Sequence, residues 1–517
     1  MIPALRQRSF FGQRAVVRPS RLLEILGLLL AAGIGVLLTR LPLAEAAILV
    51  GLAGLAVGTV LEPLVGVVGG LLLGLLRAYL QTEVPEVPAQ IGHVFIALAV
   101  ASWVAETLLR SRTVTDQAAT EGRAATEGRP YYGLALLGFI GAAWLSLWAP
   151  VDLATYGLPE LVKWIEILLI FLLVARRARP RHLPWLVGVV LAVGTFQATV
   201  GLYQFALRGE GPEHFLIPNS HFYRAYGTFE QPNPYAGYLG MTLALGVGVL
   251  GEAVTQGRVT ASPRPRVPAS PRLLVPLSLC LLTMGVALGA SWSRGAWMGF
   301  AAALAVMAIA LPRRARWGFL LLALLVTLAV ALYATGLLPT PVVTRLTDFA
   351  ADLRLEDARG ISITAANYAV VERLAHWQTA LEMWRYHFWN GVGLGGYEAA
   401  YPQFALVNWP FALGHAHNIY LNLLAETGLI GLAAYLILWA TVFWQTWRAT
   451  RVTGGLPRGV AIGLLGAWTQ LTVHQLFDNL YVNNVHFLIG ILLGMLALTA
   501  AHSPQIDLGP RTSDFEL

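Results

Sequence analysis

The sequence contains little charge, a single cysteine and a single lysine. Charged residues make up 12% of its 517 positions, whereas hydrophobic residues make up 56%. Such a composition excludes an array of soluble domains, because too few charged side chains remain to form their surfaces. The lone Cys280 excludes an intramolecular disulfide bond and a zinc site built from cysteines. The composition therefore predicts a polytopic membrane protein.

The sequence also lacks an aspartate-rich pattern for a divalent metal or a nucleotide-sugar donor. A glycine-rich stretch at 390–396 has the flexibility to surround phosphate, but it lacks the Lys-Ser/Thr pair of a nucleotide P-loop. We therefore expect no metal ion and no cofactor in the active site.

Apolar runs long enough to cross a bilayer of about 30 Å recur from near residue 22 to near residue 501. They predict an all-α fold with about 12–14 transmembrane helices. The second and third runs are separated only by Glu62 and Pro63, so they form either two spans or a re-entrant hairpin. The predicted spans are 22–39, 43–61, 63–80, 89–109, 131–149, 159–175, 183–207, 233–251, 273–290, 295–312, 317–336, 417–444, 459–476 and 485–501.

Arginine is distributed unevenly among the loops between these spans. If the N-terminus lies inside, 24 of the 34 arginines fall on the inner side, as is typical of short cytoplasmic loops. The net charge of +7 then needs no nucleic-acid partner, because the loops facing the membrane surface account for it. The same orientation places 110–130 and 253–272 inside, and 208–232 and 337–416 outside.

These features divide the chain into six parts. One of them, the outer loop domain, should contain a helix at 371–388. This helix would carry Leu374, Trp377, Leu381 and Trp384 on one side. The six parts are a basic cytoplasmic tail at 1–21, N-terminal transmembrane helices at 22–207, a transmembrane region at 208–336 with the outer loop 208–232, an outer loop domain at 337–416, C-terminal transmembrane helices at 417–501 and a cytoplasmic tail at 502–517.

The stretch 414–431 joins polar, titratable residues directly to a hydrophobic helix. On a regular helix, His417, Gly428 and Gly431 would share one stripe. Two glycines on that stripe would let a neighbouring backbone approach closely. An ionisable residue within the membrane is by default interpreted as functional, which favours a functional role for His417. The alternative is ordinary helix packing in which His417 lies at the membrane interface. At the N-terminus of its helix, His417 would be kept neutral and able to accept a proton.

Two arginines are expected at the same outer level as His417. Arg224 precedes the turn into a span, and Arg294 lies in a tight hairpin between two spans. Guanidinium groups bind phosphate oxygens in a fork geometry and keep their charge at any relevant pH. The alternative is that both arginines extend to lipid headgroups.

Two other polar pairs receive structural interpretations. His474 and Asp478 flank the outward end of a late span, where they either line the same cavity or form a hydrogen-bonded pair, so we leave them out of catalysis. Lys163 and Glu166 are near one helical turn apart, and we expect them to neutralise each other.

His417-Asn418, nine residues and then Gly428-Leu-Ile-Gly431 form the pattern H-N-x9-G-x-x-G. With the other outer motifs, this pattern resembles the O-antigen ligase and polymerase superfamily over about residues 220–445. The resemblance implies a membrane glycosyltransferase that moves an oligosaccharide or polysaccharide from undecaprenyl diphosphate to an acceptor hydroxyl. Its active site would face outward from a bacterial inner membrane. The other motifs lie at 224–233, 293–296 and 389–396.

The resemblance also implies roles for individual residues. It assigns the catalytic histidine to His417 and the two diphosphate-binding arginines to Arg224 and Arg294. His415 fits the motif less well than His417 does. The residues expected to bind substrate are Asn418, Arg373 and His415, and Asn418 orients either His417 or the substrate.

The acceptor remains open at this stage. It is lipid A core for a ligase, another lipid-linked repeat unit for a polymerase, or a protein hydroxyl for a protein O-oligosaccharyltransferase. A transporter or flippase for lipid-linked sugars is the alternative from another class. Such proteins spread charges through the membrane depth and commonly contain repeats, whereas the polar residues here gather on one face.

Overall fold

A computed structural model describes most of the chain. The described part of the chain is built from helices. Outside them, the described residues contain an isolated antiparallel bridge between Leu216 and Tyr223. The predicted tails at 1–21 and 502–517 lie outside the described residues, and so do residues 114–130 and 258–270 of the two predicted inner segments. The described residues are 35, 39–83, 88, 90–113, 131–149, 152–218, 220–257, 271–338, 340, 343–345, 347, 357–364 and 367–500.

Sixteen α-helices follow one another along the described chain. Backbone groups in lipid must be satisfied within the same segment, which is why apolar runs of this kind form helices. The helices are α1 (Leu43–Leu61), α2 (Pro63–Leu75), α3 (Arg77–Glu83), α4 (Ile91–Thr113), α5 (Tyr131–Ser146), α6 (Leu158–Arg177), α7 (Leu183–Ala206), α8 (Pro232–Gly257), α9 (Pro271–Ala290), α10 (Arg294–Ala310), α11 (Ala315–Ala334), α12 (Tyr368–Tyr386), α13 (Tyr397–Phe404), α14 (Ile419–Val452), α15 (Gly455–His474) and α16 (Val485–Ala500).

The chain is an all-α polytopic membrane protein. A described helix coincides with each predicted span except 22–39, which falls almost entirely outside the described residues. Six of the described helices are long and apolar enough to cross a membrane: α1, α4, α7, α8, α11 and α14. The predicted span 63–80 is two helices, because α2 ends before Leu76 and α3 starts at Arg77.

The chain separates into two compact units, residues 1–57 and 58–517. The second unit has a core in which α8 and α15 run in very close contact. A Cβ atom built on Gly248 would lie 2.2 Å from the backbone nitrogen of Gly463, so only glycine permits this approach. Small residues at such crossings let helices associate where lipid removes the hydrophobic driving force.

Between α11 and α14, α12 buries one face against the rest of the second unit. Of the four residues predicted to share one side, Leu374 is buried, and Trp377, Leu381 and Trp384 are partly buried. The buried face is therefore rotated from the apolar side that the sequence pattern indicated. It consists of Val370, Val371, Leu374, Ala375, His376, Thr379, Ala380 and Met383.

The regular helix expected from His417 through Gly431 is wrong. Helix α14 begins at Ile419, and Gly428 interrupts it with φ 63° and ψ −164°. The loop at 388–393 packs into this break, where Leu429 N–H donates to Phe388 O at 3.0 Å. A Cβ atom on Gly428 would lie 2.2 Å from Trp389 O, which confirms the close backbone approach expected at this glycine.

The expected pairing of Lys163 with Glu166 is also wrong. Lys163 instead pairs with Glu160 and donates to Tyr481 O. The carboxylate of Glu166 accepts hydrogen bonds from histidines on two other helices. The helical spacing of three residues allowed either partner for Lys163, and the packing of the neighbouring helices decided between them.

Candidate active site

The loop that carries His417 is held tightly at the start of α14. His417 has a left-handed backbone with φ 52°, an uncommon conformation for a residue other than glycine. Asn418 caps the helix, since its side-chain oxygen accepts from Tyr420 N–H at 3.0 Å and from Leu421 N–H at 3.1 Å. Asn422 fixes the preceding turn by accepting from the N–H of Ala416 at 3.0 Å. The surrounding structure thus imposes the unusual backbone of His417.

Asp478 brings His415 and His417 together. The backbone N–H of His417 donates to Nδ1 of His415 at 3.0 Å, so neutral His415 carries its proton on Nε2. That Nε2 lies 3.7 Å from Oδ1 of Asp478, and Nδ1 of His417 lies 3.8 Å from the same oxygen. Both distances exceed a hydrogen bond, so the contacts are electrostatic. Nδ1 of His417 is the ring nitrogen that faces the carboxylate, and its Nε2 makes no hydrogen bond to any described residue.

The environment sets the charge of this group. Burial opposes ionisation of Asp478, but the close approach of His417 and His415 and the charge of Arg373 together hold the pKa of its carboxyl below the usual range. Burial and the neighbouring His417 lower the pKa of His415 to about 3. At neutral pH, His415 is therefore neutral and Asp478 is a buried anion.

Asn233 connects Asp478 to Arg224. The side-chain Nδ2 of Asn233 donates to Oδ2 of Asp478 at 2.7 Å, and its Oδ1 accepts from Nη2 of Arg224 at 2.9 Å. Ser293 Oγ donates to the same Asn233 oxygen at 3.0 Å. The side chain of Asn233 therefore fixes the guanidinium and the carboxylate relative to each other.

The expected hairpin that carries Arg294 is the turn 291–293 between α9 and α10. Nε of Arg224 donates to Ser291 O at 2.9 Å, and Ala225 N–H donates to Ala290 O at 2.9 Å. Trp292 has φ 54°, a conformation that is strained for a bulky side chain. The two arginine segments are thus joined through backbone groups as well as side chains.

A partly enclosed cavity of about 100 Å³ lies beside this network. Four guanidinium groups line it, together with Asn233, Ser293 and His474. Burial and the charges of neighbouring arginines lower the pKa of Arg224 to about 9, which leaves the side chain charged at neutral pH. The cavity is suited to an anion with several oxygens. The four arginines are Arg224, Arg294, Arg345 and Arg373.

The structure brings together most of the residues selected from the sequence. Arg224, Arg294 and Arg373 line one cavity, and His417 and His415 adjoin it through Asp478. The side-chain oxygen of Asn418 is occupied in capping the helix, so its role in substrate binding stays a prediction that depends on its amide nitrogen.

Five residues of the site were missed or set aside at the level of the sequence, and one of them is His474, which was left out of catalysis and lines the cavity. Asn233 ends the quoted motif 224–233 but was given no role, and Asp478 was left out of catalysis. Arg345 has no sequence signal of its own. His376 carried a usable signal, because it follows Arg373 by three residues on the same predicted helix, a spacing that puts two side chains on one face.

His376 lies on the buried face of α12, next to His417. Its ring centroid is 5.7 Å from that of His417, and its Nδ1 lies 2.9 Å from the hydroxyl of Tyr397. The Tyr397 hydroxyl in turn donates to His376 O at 3.2 Å. Burial, assisted by the neighbouring His417, lowers the pKa of His376 to about 4. His376 is therefore an uncharged side chain that packs beside His417 at physiological pH.

Part of the chain matches the model of a known family. Residues 279–436 match the family model described as O-antigen ligase. The matched segment runs from α9 into α14 and contains Arg294, Arg373 and His417, whereas Arg224 and Asp478 lie outside it. No curated protein matches the chain.

Proposed function

The chain belongs to the superfamily of O-antigen ligases and polymerases, and on that premise we propose that it transfers a glycan from undecaprenyl diphosphate to an acceptor hydroxyl. A membrane glycosyltransferase of polysaccharide biosynthesis needs a base for the acceptor and positive charge for the departing diphosphate. The observation that carries the proposal is the four-arginine cavity joined to His417 through Asn233 and Asp478.

The histidine serves as the general base in this proposal. Nε2 of His417 takes the proton from the acceptor hydroxyl while the acceptor oxygen forms a bond to the anomeric carbon. The bond between that carbon and the phosphate oxygen breaks, and its electron pair leaves with undecaprenyl diphosphate. Asp478 faces Nδ1, so it orients the ring and stabilises the imidazolium that forms.

The arginines bind the diphosphate of the donor. Arg224 and Arg294 hold its oxygens and stabilise the negative charge that grows on the leaving group. Arg373, and Arg345 beside it, extend the positive wall of the cavity. Four guanidinium groups provide the charge that a divalent cation supplies in many other phosphate sites, which supports a metal-independent reaction.

The acceptor stays open among three classes: lipid A core, a second lipid-linked repeat unit and a protein hydroxyl. In each case the reaction would take place on the outer face of a bacterial inner membrane. This location follows from the arginine distribution in the sequence, which puts 208–232 and 337–416 outside.

The test is transfer by the purified protein in lipid vesicles supplied with an undecaprenyl-diphosphate glycan and each acceptor class in turn. Release of undecaprenyl diphosphate should require an acceptor and should persist in excess EDTA. His417→Ala should lower the single-turnover rate by about 10²- to 10⁴-fold while donor affinity stays nearly unchanged.

His182→Ala is the matched control, because this histidine lies at the start of α7, away from the site. A His417→Ala protein that keeps more than about a tenth of the wild-type rate would return His417 to a packing role. Loss of turnover in EDTA that Mg²⁺ restores would assign the neutralisation of the diphosphate to a metal ion.

A further inference from the structure

A second histidine cluster lies apart from the arginine cavity and joins three helices. His93 is near the start of α4, Glu166 is in the middle of α6, and His486 is the second residue of α16. Nδ1 of His93 lies 2.8 Å from one carboxylate oxygen of Glu166, and Nε2 of His486 lies 2.8 Å from the other. The three groups offer ligand atoms that all lie within 4.8 Å of one another.

The carboxylate in this cluster needs a positive charge. The side chain of Glu166 is 11% exposed and that of His486 is fully buried. A buried carboxylate in an apolar region is costly unless a charge or a metal ion compensates it. Among the described residues, the two histidines are its only ion-pair partners, because the nearby Lys163 pairs with Glu160.

The chemistry of these donors matches a transition metal. Two imidazole nitrogens and one carboxylate form a set that binds Zn²⁺ with three protein ligands and leaves a fourth position open. The two histidines approach opposite oxygens of the Glu166 carboxylate. One ion placed on the line that bisects this carboxylate can therefore contact all three side chains after the histidine rings move slightly towards it. His93 is 25% exposed, which gives an ion a route to the site.

We propose that His93, Glu166 and His486 bind a divalent transition-metal ion of the zinc class, which clamps α4, α6 and α16 together. The ligands come from positions as far apart as 93 and 486, so binding stabilises the folded chain against separation of these helices. Helix α16 directly follows the loop that carries Asp478, so the clamp also anchors one end of that loop. The ion takes no part in glycan transfer.

The test uses detergent-purified protein without a polyhistidine tag, stripped with EDTA and then freed of it. Co²⁺ is the probe, because a low-coordinate cobalt site with histidine ligands absorbs visible light. Wild-type protein should bind one equivalent, and Zn²⁺ should displace it and raise the thermal unfolding midpoint. Glu166→Gln and His486→Gln should remove both the absorption and the shift, whereas His182→Gln should remove neither.

Two further variants separate this site from the group formed by His415, His417 and Asp478, which also offers three ligand atoms. His417→Gln should keep the cobalt absorption if the proposal is correct. His93→Gln changes a partly exposed side chain, so it serves if His486→Gln fails to fold. Absence of stoichiometric Co²⁺ binding, or binding lost with His417→Gln and kept with His93→Gln, would overturn the metal site and leave a hydrogen-bonded triad.

Discussion

Asp478 Oδ1 lies 3.8 Å from Nδ1 of His417, while the other oxygen of the same carboxylate accepts from Asn233 at 2.7 Å. One carboxylate thus faces the proposed base on one side and the proposed diphosphate site on the other. Its two oxygens give it two separable effects, one on the rate of transfer and one on the position of Arg224.

Asp478→Asn should lower the single-turnover rate by about 10²-fold, because the imidazolium of His417 loses its counter-charge. Donor affinity should fall much less, since an amide still offers Asn233 a hydrogen-bond partner. Parallel measurement of donor binding and single-turnover rate checks this split. Asp357→Asn, which alters an exposed carboxylate paired with Arg359, is the control. An Asp478→Asn protein with a normal rate and weakened donor binding would contradict the role at His417.

Arg294→Lys should weaken donor binding by about 10- to 100-fold, because the lysine keeps the charge and loses the fork geometry. Equilibrium binding of the undecaprenyl-diphosphate glycan measures this effect. Arg385→Lys is the matched control, since Arg385 is largely exposed on α12 and pairs with Glu382. Equal donor affinity in Arg294→Lys and wild-type protein would exclude bidentate recognition by Arg294.

Stability should fall as the pH is lowered from about 6.5 to about 4. His376 and His415 have folded-state pKa values lowered to about 4 and about 3, and both are lowered first by burial. An unfolded chain binds protons at an ordinary pKa of about 6.5, so it holds more protons than the folded chain in this window. The free energy of unfolding therefore decreases with falling pH.

Thermal unfolding midpoints measured across this window check the prediction. His376→Gln should reduce the slope, because it removes one group that is buried in its neutral form. A slope unchanged by His376→Gln would show that His376 gains its proton in the folded state at its ordinary pKa.

Gly428→Ala should destabilise the fold by at least about 1–2 kcal/mol from its left-handed backbone alone. Contact with Trp389 O, 2.2 Å from the new Cβ atom, adds to this effect. Gly141→Ala is the control, because its Cβ atom would meet nothing within 4 Å and alanine favours the α5 helix by about 1 kcal/mol. Thermal unfolding of both variants tests this, and equal midpoints would mean that the break in α14 is not required.

Cysteine labelling in intact cells tests the orientation on which the location of the active site depends. In a background without Cys280, a membrane-impermeant thiol reagent should label Gly360→Cys but not Ser262→Cys. The expected result follows from the excess of arginine in the segments assigned to the inner side. Labelling of the cysteine at 262 alone would invert the topology and move the proposed reaction to the other face.

The sequence by itself determined the helical membrane architecture, because hydrocarbon requires each spanning segment to satisfy its own backbone hydrogen bonds. It also led to His417, Arg224 and Arg294 as candidate site residues, because the motifs that contain them resemble those of the O-antigen ligase and polymerase superfamily. Only the tertiary structure decided how these residues are connected. Asn233 and Asp478 meet across 245 positions of sequence, and no local pattern encodes such a contact. The same holds for the break at Gly428, where α14 departs from regular helical geometry. The loop at 388–393 supplies the hydrogen-bond partners at this break, and the sequence of α14 alone does not reveal them.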